Sequence, residues 1–192
     1  MSYTLYYWGA GKSFWGRVLP ACAILEEAGA AYTIEDQTTK PAGCFAMPAM
    51  LSPKTGAAVS QVAVIAHTLG HELGMAPEDP AADAKALQLC CDAADVMSEA
   101  DKEGKLEGDR KAKWLAHLEA QPQLTAASPI TYADFVVYGS LHLCFAFGSS
   151  SIVESDLPPG LAAWAAKMSA SKGIVACKAL KIPMMPRKPA FE

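Results

Sequence analysis

The chain changes its hydrophobic rhythm near residue 75. Before that point, short apolar runs alternate with helical stretches. Thr4 to Trp8 is aromatic and β-favouring and reads as a strand. Gly9 to Ser13 is a loop. Val18, Ala21, Cys22, Leu25 and Ala28 then recur at spacings of three and four, which predicts a helix starting near Arg17 and stopping at Gly29. Pro20 fits only its first turn, where a missing N–H is harmless. Ala31 to Glu35 predicts a second strand, after a connection that suits a tight βαβ unit. Asp36 to Cys44 holds Pro41 and Gly43 without periodicity and reads as a loop. Phe45 to Leu51 leads into a third strand, Ser52 to Gly56 is turn chemistry, and Ala57 to Val59 completes a hairpin. Ser60 is placed to cap a helix from Gln61 to Leu73.

Gly74 to Pro80 has the composition of a linker, and everything after it is helical. Ala81 to Lys105 turns Leu87, Cys90, Cys91, Ala94 and Met97 inward. Arg110 to Gln121 is a second helix, and Gln123 to Pro129 a loop. Thr131 and Asp134 approximate a capping box for a helix that is apolar all round from Phe135 to Phe147, and therefore buried. Ser149 to Ser151 ends it. Pro159 to Ala170 and Gly173 to Lys181 are further helical stretches, and Pro183 to Glu192 has no pattern. The chain thus divides into a mixed α/β unit over residues 1–74, βαβ then ββα, and an all-helical unit over residues 81–192.

Composition narrows the function classes. At 192 residues and 52% hydrophobic content the chain can bury a sizeable core. A net charge of −4 without a basic block argues against nucleic acid. No secretory leader and no apolar run of membrane-spanning length is visible, so a cytoplasmic protein with no membrane partner is expected. The six cysteines (Cys22, Cys44, Cys90, Cys91, Cys144, Cys177) show no CxxC spacing and read as reduced, small apolar residues. His67 and His71 lie four apart on one expected helix, but HTLGH lacks the glutamate of HExxH, and no metal is expected.

The candidate chemistry lies in Leu5 to Arg17. Gly11-Lys12-Ser13 ends like a phosphate-binding loop, but that motif needs a glycine at position 6, where this chain has Tyr6. The other reading is a strand-end tyrosine, Tyr7, facing a helix N-terminus. Tyr6 would point to the opposite sheet face. Tyr7 as an ordinary core residue is the plain alternative.

Several stretches, in this order, resemble the glutathione transferases, specifically the tyrosine-type, sigma-like cytosolic members. They are Leu5-Tyr6-Tyr7-Trp8, Gly16 to Pro20 with Leu25 to Tyr32, Phe45-Ala46-Met47-Pro48, Val59 to Ile65, and Thr131 to Asp134. The resemblance implies a thioredoxin-like N-terminal α/β domain with a mixed four-stranded sheet, followed by an all-α domain. It implies a detoxifying transferase that joins the thiolate of glutathione to small hydrophobic electrophiles, working as a homodimer. Tyr7 would hydrogen-bond the sulfur, with Ser13 as the alternative activator. Trp8, Arg17, Lys40, Met47, Pro48, Gln61 and Val62 would bind glutathione, with Pro48 in a cis peptide rather than an ordinary trans one. Phe14 and Trp15 would line the second-substrate pocket, with Cys91, Asp95, Met97 and the tail methionines Met184 and Met185 nearby. Asp92 or Asp95 would reach a neighbouring subunit. Val62 stands where the family has Ser or Thr, the loop before Gly16 is longer, and the loop from Asp36 to Cys44 is shorter. A non-catalytic binding or assembly protein, or a glutathione-dependent isomerase or lyase, are the other functions compatible with this pattern.

Overall fold

Strand β1 (Tyr3–Tyr7) is the one on which the sheet is built. It pairs in parallel with β2 (Tyr32–Asp36) and antiparallel with β3 (Ala49–Leu51), which pairs antiparallel with β4 (Ala58–Ser60). The mixed sheet has the order β2-β1-β3-β4. The computed structural model describes residues 2–100, 106–146 and 152–185. The expected extension of the long helix to Lys105, the Phe147 helix end, the Ser149–Ser151 stop and the tail beyond residue 185 lie outside them.

Helix α1 (Leu19–Ala28) carries the chain from β1 to β2. A 3-10 turn over Gly16–Val18 precedes it, so the helix proper starts two residues later than the periodicity suggests. Pro20 sits in its first turn, and Gly29 closes it at φ 66°, a left-handed conformation that glycine adopts without a Cβ penalty. Every residue from Leu19 to Leu25 is buried, because α1 lies between the sheet and the helical unit. Helix α2 (Val62–Leu73) follows β4. Ser60 is not its cap: it remains in the sheet opposite Ala49, and the turn is made at Gln61, with φ 78° and ψ 132°. Hydroxyls of Tyr3 and Ser52 hydrogen-bond Glu72, which ties the end of α2 to β1 and the hairpin.

The helical unit comprises α3 (Pro80–Ala100), α4 (Gly108–Glu119), α5 (Tyr132–Ala146), α6 (Pro159–Ser169) and α7 (Lys172–Ala179). Helix α5 is central and buried on all sides, as its apolar sequence requires. Asp134 accepts the Thr131 N–H and hydroxyl at 2.8 Å each and the Trp164 indole N–H at 2.7 Å. The expected capping box therefore also anchors α6. One apolar core runs through both units, from Leu5, Ile24 and Met50 to Phe135, Leu161 and Trp164. Each such side chain contributes about 1.5–3 kcal/mol on burial. Among the described residues, no helix is long and apolar enough to cross a membrane.

Candidate functional site

The site grows from the last residue of β1. Side-chain alternation sends Tyr3, Leu5 and Tyr7 into the main core, while Tyr6 joins Cys44 and Ala49 in a small cluster on the other face. Beyond Tyr7 the chain makes a tight left-handed turn: Gly9, Ala10 and Gly11 have φ of 57°, 53° and 66°. Such a turn is unfavourable for an L-residue, by about 1–2 kcal/mol at Ala10. It is held from outside. The Gly9 N–H donates to Asp36 at 3.1 Å, and Gly11 lies so close to Ile34 that a Cβ there would come within 2.8 Å. The Thr38 N–H and hydroxyl, with the Gly9 N–H, hold the Asp36 carboxyl below the usual carboxylate range.

The chain then returns beneath Tyr7. The Arg17 N–H donates to the Tyr7 hydroxyl oxygen at 2.9 Å. Gly16 passes so near that a Cβ would lie 2.3 Å from that oxygen. The Tyr7 ring packs at a tilt on Phe14, 5.5 Å between centroids. The C-terminal segment closes this corner from the other side, for the Trp15 and Gly16 N–H groups donate to the Pro183 and Met184 carbonyls at 2.8 Å each. Burial pushes the Tyr7 phenol above the ordinary tyrosine value, and the Arg17 N–H and positive charge only partly offset it. The group is therefore a neutral phenol at physiological pH. Its oxygen already accepts one hydrogen bond, and its proton remains free to be donated.

Two adjoining cavities open here. One of about 340 Å³ is walled by Tyr7, Trp8, Phe14, Met47 and Met185. The other, of about 350 Å³, lies between the N-terminus of α2 and helices α3 and α5, and its walls include Gln61, Val62, Cys91, Met97 and Ser140. Gly16, Arg17 and Leu143 border both, so the two form one cleft. The Met47–Pro48 peptide is cis. Among the described residues, neither the Met47 N–H nor its carbonyl is hydrogen-bonded. The first free N–H groups of α2, at Val62, Ala63 and Val64, also have no acceptor, because the Gln61 side chain makes no cap.

Of the residues expected at the site, Tyr7, Trp8, Arg17, Met47, Gln61 and Val62 face this cleft, and Phe14 lies on its wall. Pro48 is buried behind it. Trp15 is not a pocket wall: it is 3% exposed and packed in the core, while its N–H is tied to the Pro183 carbonyl. Ser13 is exposed and borders neither cavity. Lys40 lies along a separate depression formed by residues 40–45. Cys91, Asp95 and Met97 line the cleft, and so does Met185; the buried face of α3 is Ala86, Leu89, Cys90, Ala93, Val96, Met97 and Ala100, so Cys91, read as inward, is exposed. Asp92 instead faces His117, at 2.9 Å. The contribution of α5 through Val136, Gly139, Ser140 and Leu143 escaped the sequence reading. The small pair Gly139-Ser140 in a bulky helix was its one visible sign, and a Cβ at Gly139 would come within 2.9 Å of Pro20. Away from the cleft, His67, His71 and Asp83 bring three potential ligand atoms within 4.8 Å of one another.

No family model matches this sequence, and no curated protein matches it. Solved structures do. A glutathione S-transferase from Ascaris lumbricoides superimposes with a TM-score of 0.68 at 19% identity, covering 97% of this chain and 100% of that one. A glutathione transferase from Burkholderia graminis, with two glutathione molecules bound per subunit, gives 0.70 at 16% identity over 100% and 90%. Na-GST-3 from the hookworm Necator americanus, a glutathione S-transferase described as monomeric, gives 0.69 at 17% identity over 93% and 97%. With its β2-β1-β3-β4 sheet and seven α-helices among the described residues, the last five of them forming the helical unit, this chain has the fold of the glutathione transferases: a thioredoxin-like domain joined to an all-helical one.

Proposed function

We propose that the chain binds glutathione in the cleft and uses the Tyr7 phenol to stabilise its thiolate for attack on a small hydrophobic electrophile. The observation that carries this reading is the bond from the Arg17 N–H to the Tyr7 oxygen, which leaves the phenolic proton to be donated. A hydrogen bond to an ionised sulfur is worth about 1.5–3 kcal/mol, or about 1–2 pKa units. That lowers a thiol from about 8.5 to about 6.5–7.5, and raises the thiolate fraction at neutral pH from about 3% to about 25–75%. The free Met47 backbone groups suit an extended peptide, and the unpaired N–H groups at 62–64 suit its carboxylate. Trp8 and Arg17 border the same cleft, whereas Lys40 lies in a separate depression. The wall of Pro20, Met97, Val136 and Leu143 suits an apolar second substrate.

Calorimetric titration with glutathione, followed by conjugation of an activated aromatic chloride, tests the reading. Tyr7→Phe should keep most of the binding and lose about 8- to 25-fold in rate at neutral pH, the ratio of those thiolate fractions. A wild-type protein that does not bind glutathione sinks the proposal. Binding with an unchanged rate in Tyr7→Phe transfers the activation to Ser13 or to backbone N–H groups. Binding without turnover favours the non-catalytic reading, for which Val62, lacking a hydroxyl, is the supporting observation.

A homodimer belongs to the same proposal. Phe45 is 95% exposed, an aromatic ring without a partner in the single chain. A reducing, cytoplasmic setting fits six cysteines that are all free.

A further inference from the structure

His67 and His71 stand one turn apart on α2, and Asp83 reaches them from the first turn of α3. Their atoms form a closed triangle. The two Nε2 atoms are 3.1 Å apart, and Asp83 Oδ2 lies 3.3 Å from His67 and 2.9 Å from His71. Protons do not satisfy this arrangement. Each edge needs one hydrogen, an Nε2 carries at most one, and the carboxylate carries none. If both nitrogens donate to Asp83, the two Nε2 atoms oppose each other as donors. If one donates to the other, an edge to the carboxylate loses its hydrogen. A cation satisfies all three lone pairs together.

The dimensions suit a first-row metal. A triangle with these edges has its corners about 1.8 Å from its centre, so an ion about 2.05 Å from each ligand sits about 1 Å off their plane. That is one face of a distorted tetrahedron. The fourth position opens toward solvent, since the histidine side chains are 36% and 48% exposed. Two imidazoles and one carboxylate favour zinc-class ions over magnesium or calcium, which prefer oxygen-only shells.

The surroundings fix these ligands. Asp83 Oδ1, the oxygen turned away from the histidines, accepts the Tyr132 hydroxyl at 2.8 Å. Tyr132 is fully buried, and its ring also meets His67 edge-on at 5.6 Å between centroids. It fits there because Gly70, between the two histidines, has no Cβ. One would come within 2.3 Å of the ring. An outer partner of this kind orients a metal-binding carboxylate.

We propose that His67, His71 and Asp83 bind a divalent zinc-class ion that clamps α2 of the first unit to α3 of the second, with Tyr132 as the positioning residue. The inference is independent of the cleft and of glutathione. It departs from the sequence-based expectation of no metal, because HTLGH gains its third ligand from another helix.

The test uses the whole chain, stripped with chelator and titrated with Zn²⁺ by calorimetry and with Co²⁺ by visible absorption. One equivalent should bind, with the intense d–d bands of a four-coordinate Co²⁺ site and a thermal midpoint that rises with added Zn²⁺. His71→Gln, at a half-exposed position, and Asp83→Asn should each weaken binding at least tenfold. Tyr132→Phe should weaken it by about 10- to 100-fold. Circular dichroism of the metal-free variants separates loss of ligand from loss of fold, and His71→Gln keeps the test intact if Tyr132→Phe unfolds. No binding by the wild type, undiminished binding by His71→Gln, or binding abolished by Cys91→Ser instead, overturns the proposal.

Discussion

Replacing Gly16 with alanine should damage the Tyr7 corner more than one methyl group ordinarily would. Gly16 has φ 46°, so a Cβ there is strained by about 1–2 kcal/mol before any contact is considered. The new carbon would lie 2.3 Å from the Tyr7 oxygen and 2.9 Å from Phe14 Cε2. Both are well inside the ~3.5 Å of a relaxed contact. Phe14 is partly exposed and can swing away, but Tyr7 is 4% exposed and its ring cannot. Overpacking of this kind costs about 1–3 kcal/mol, and moving the oxygen off the Arg17 N–H costs about 0.5–1.5 kcal/mol more. The total is about 2.5–6.5 kcal/mol, a large part of the stability of an ordinary domain.

Urea unfolding of four proteins measures it: wild type, Gly16→Ala, Tyr7→Phe and the double variant. Deleting the hydroxyl removes the atom that the new methyl strikes. The double variant should therefore be less destabilised than the sum of the singles, by about 1–3 kcal/mol. Additive losses, or a Gly16→Ala loss below about 1 kcal/mol, would show that Gly16 does not set the position of the hydroxyl.

Other residues give separate tests. Burial first, then the hydrogen bond and charge of Glu72, push the Tyr3 phenol from 10.0 up to about 12. Its stabilisation is present in full below pH 10 and is lost as pH rises from there toward 12. Urea midpoints across that window should fall less steeply in Tyr3→Phe than in wild type, and equal slopes would refute the assignment. Asp134→Ala should lose about 2–4 kcal/mol by thermal or urea unfolding, because it removes a cap and strands the buried Trp164 N–H, whereas Asp134→Asn, which keeps an acceptor, should lose less. Val62→Ser adds a donor beside the free N–H groups of α2. If these hold the glutathione carboxylate, KM for glutathione should fall about 2- to 10-fold with kcat unchanged in steady-state assays, and a change in kcat alone would refute it.

The fold was legible because its signals are local. The three-and-four spacing from Val18 to Ala28, the stop at Gly29, the Ser52–Gly56 turn and the Thr131–Asp134 cap each depend on residues within a few positions of one another. The site was legible only where a side chain's direction follows from its element, as for Tyr7 against Tyr6 on β1. Phe14 and Trp15 are adjacent aromatics in a loop, and only tertiary packing separates the one on the cleft wall from the one in the core. No periodicity encodes that. Ser60 has the chemistry of a cap, but the sheet ladder to Ala49 retains it and moves the turn to Gln61. Asp83 joins His67 and His71 through the packing of α3 on α2, which HTLGH cannot express.

Tyr7 is held by pieces of chain that have no other reason to meet. The loop after it rests on β2 through Asp36 and Ile34. The strand-to-helix turn supplies the Arg17 N–H, and residues 183–184 bind the backbone of that turn from outside. If only the loop fixed the hydroxyl, the strained Ala10 would relax and the oxygen would drift with it. With three anchors the strain persists because relaxing it breaks bonds elsewhere. Such over-determination is what the donor role proposed for Tyr7 would require: its position is set during folding, and none of it would have to be found on binding. It also separates two properties of the cleft. The orientation of the hydroxyl depends on residues 9–17 and 183–184, whereas the proposed grip on a carboxylate would depend on the start of α2. On the proposed reading, Val62→Ser should therefore change binding without changing activation, and the longer loop, which looks like the larger departure, is part of what holds the phenol in place.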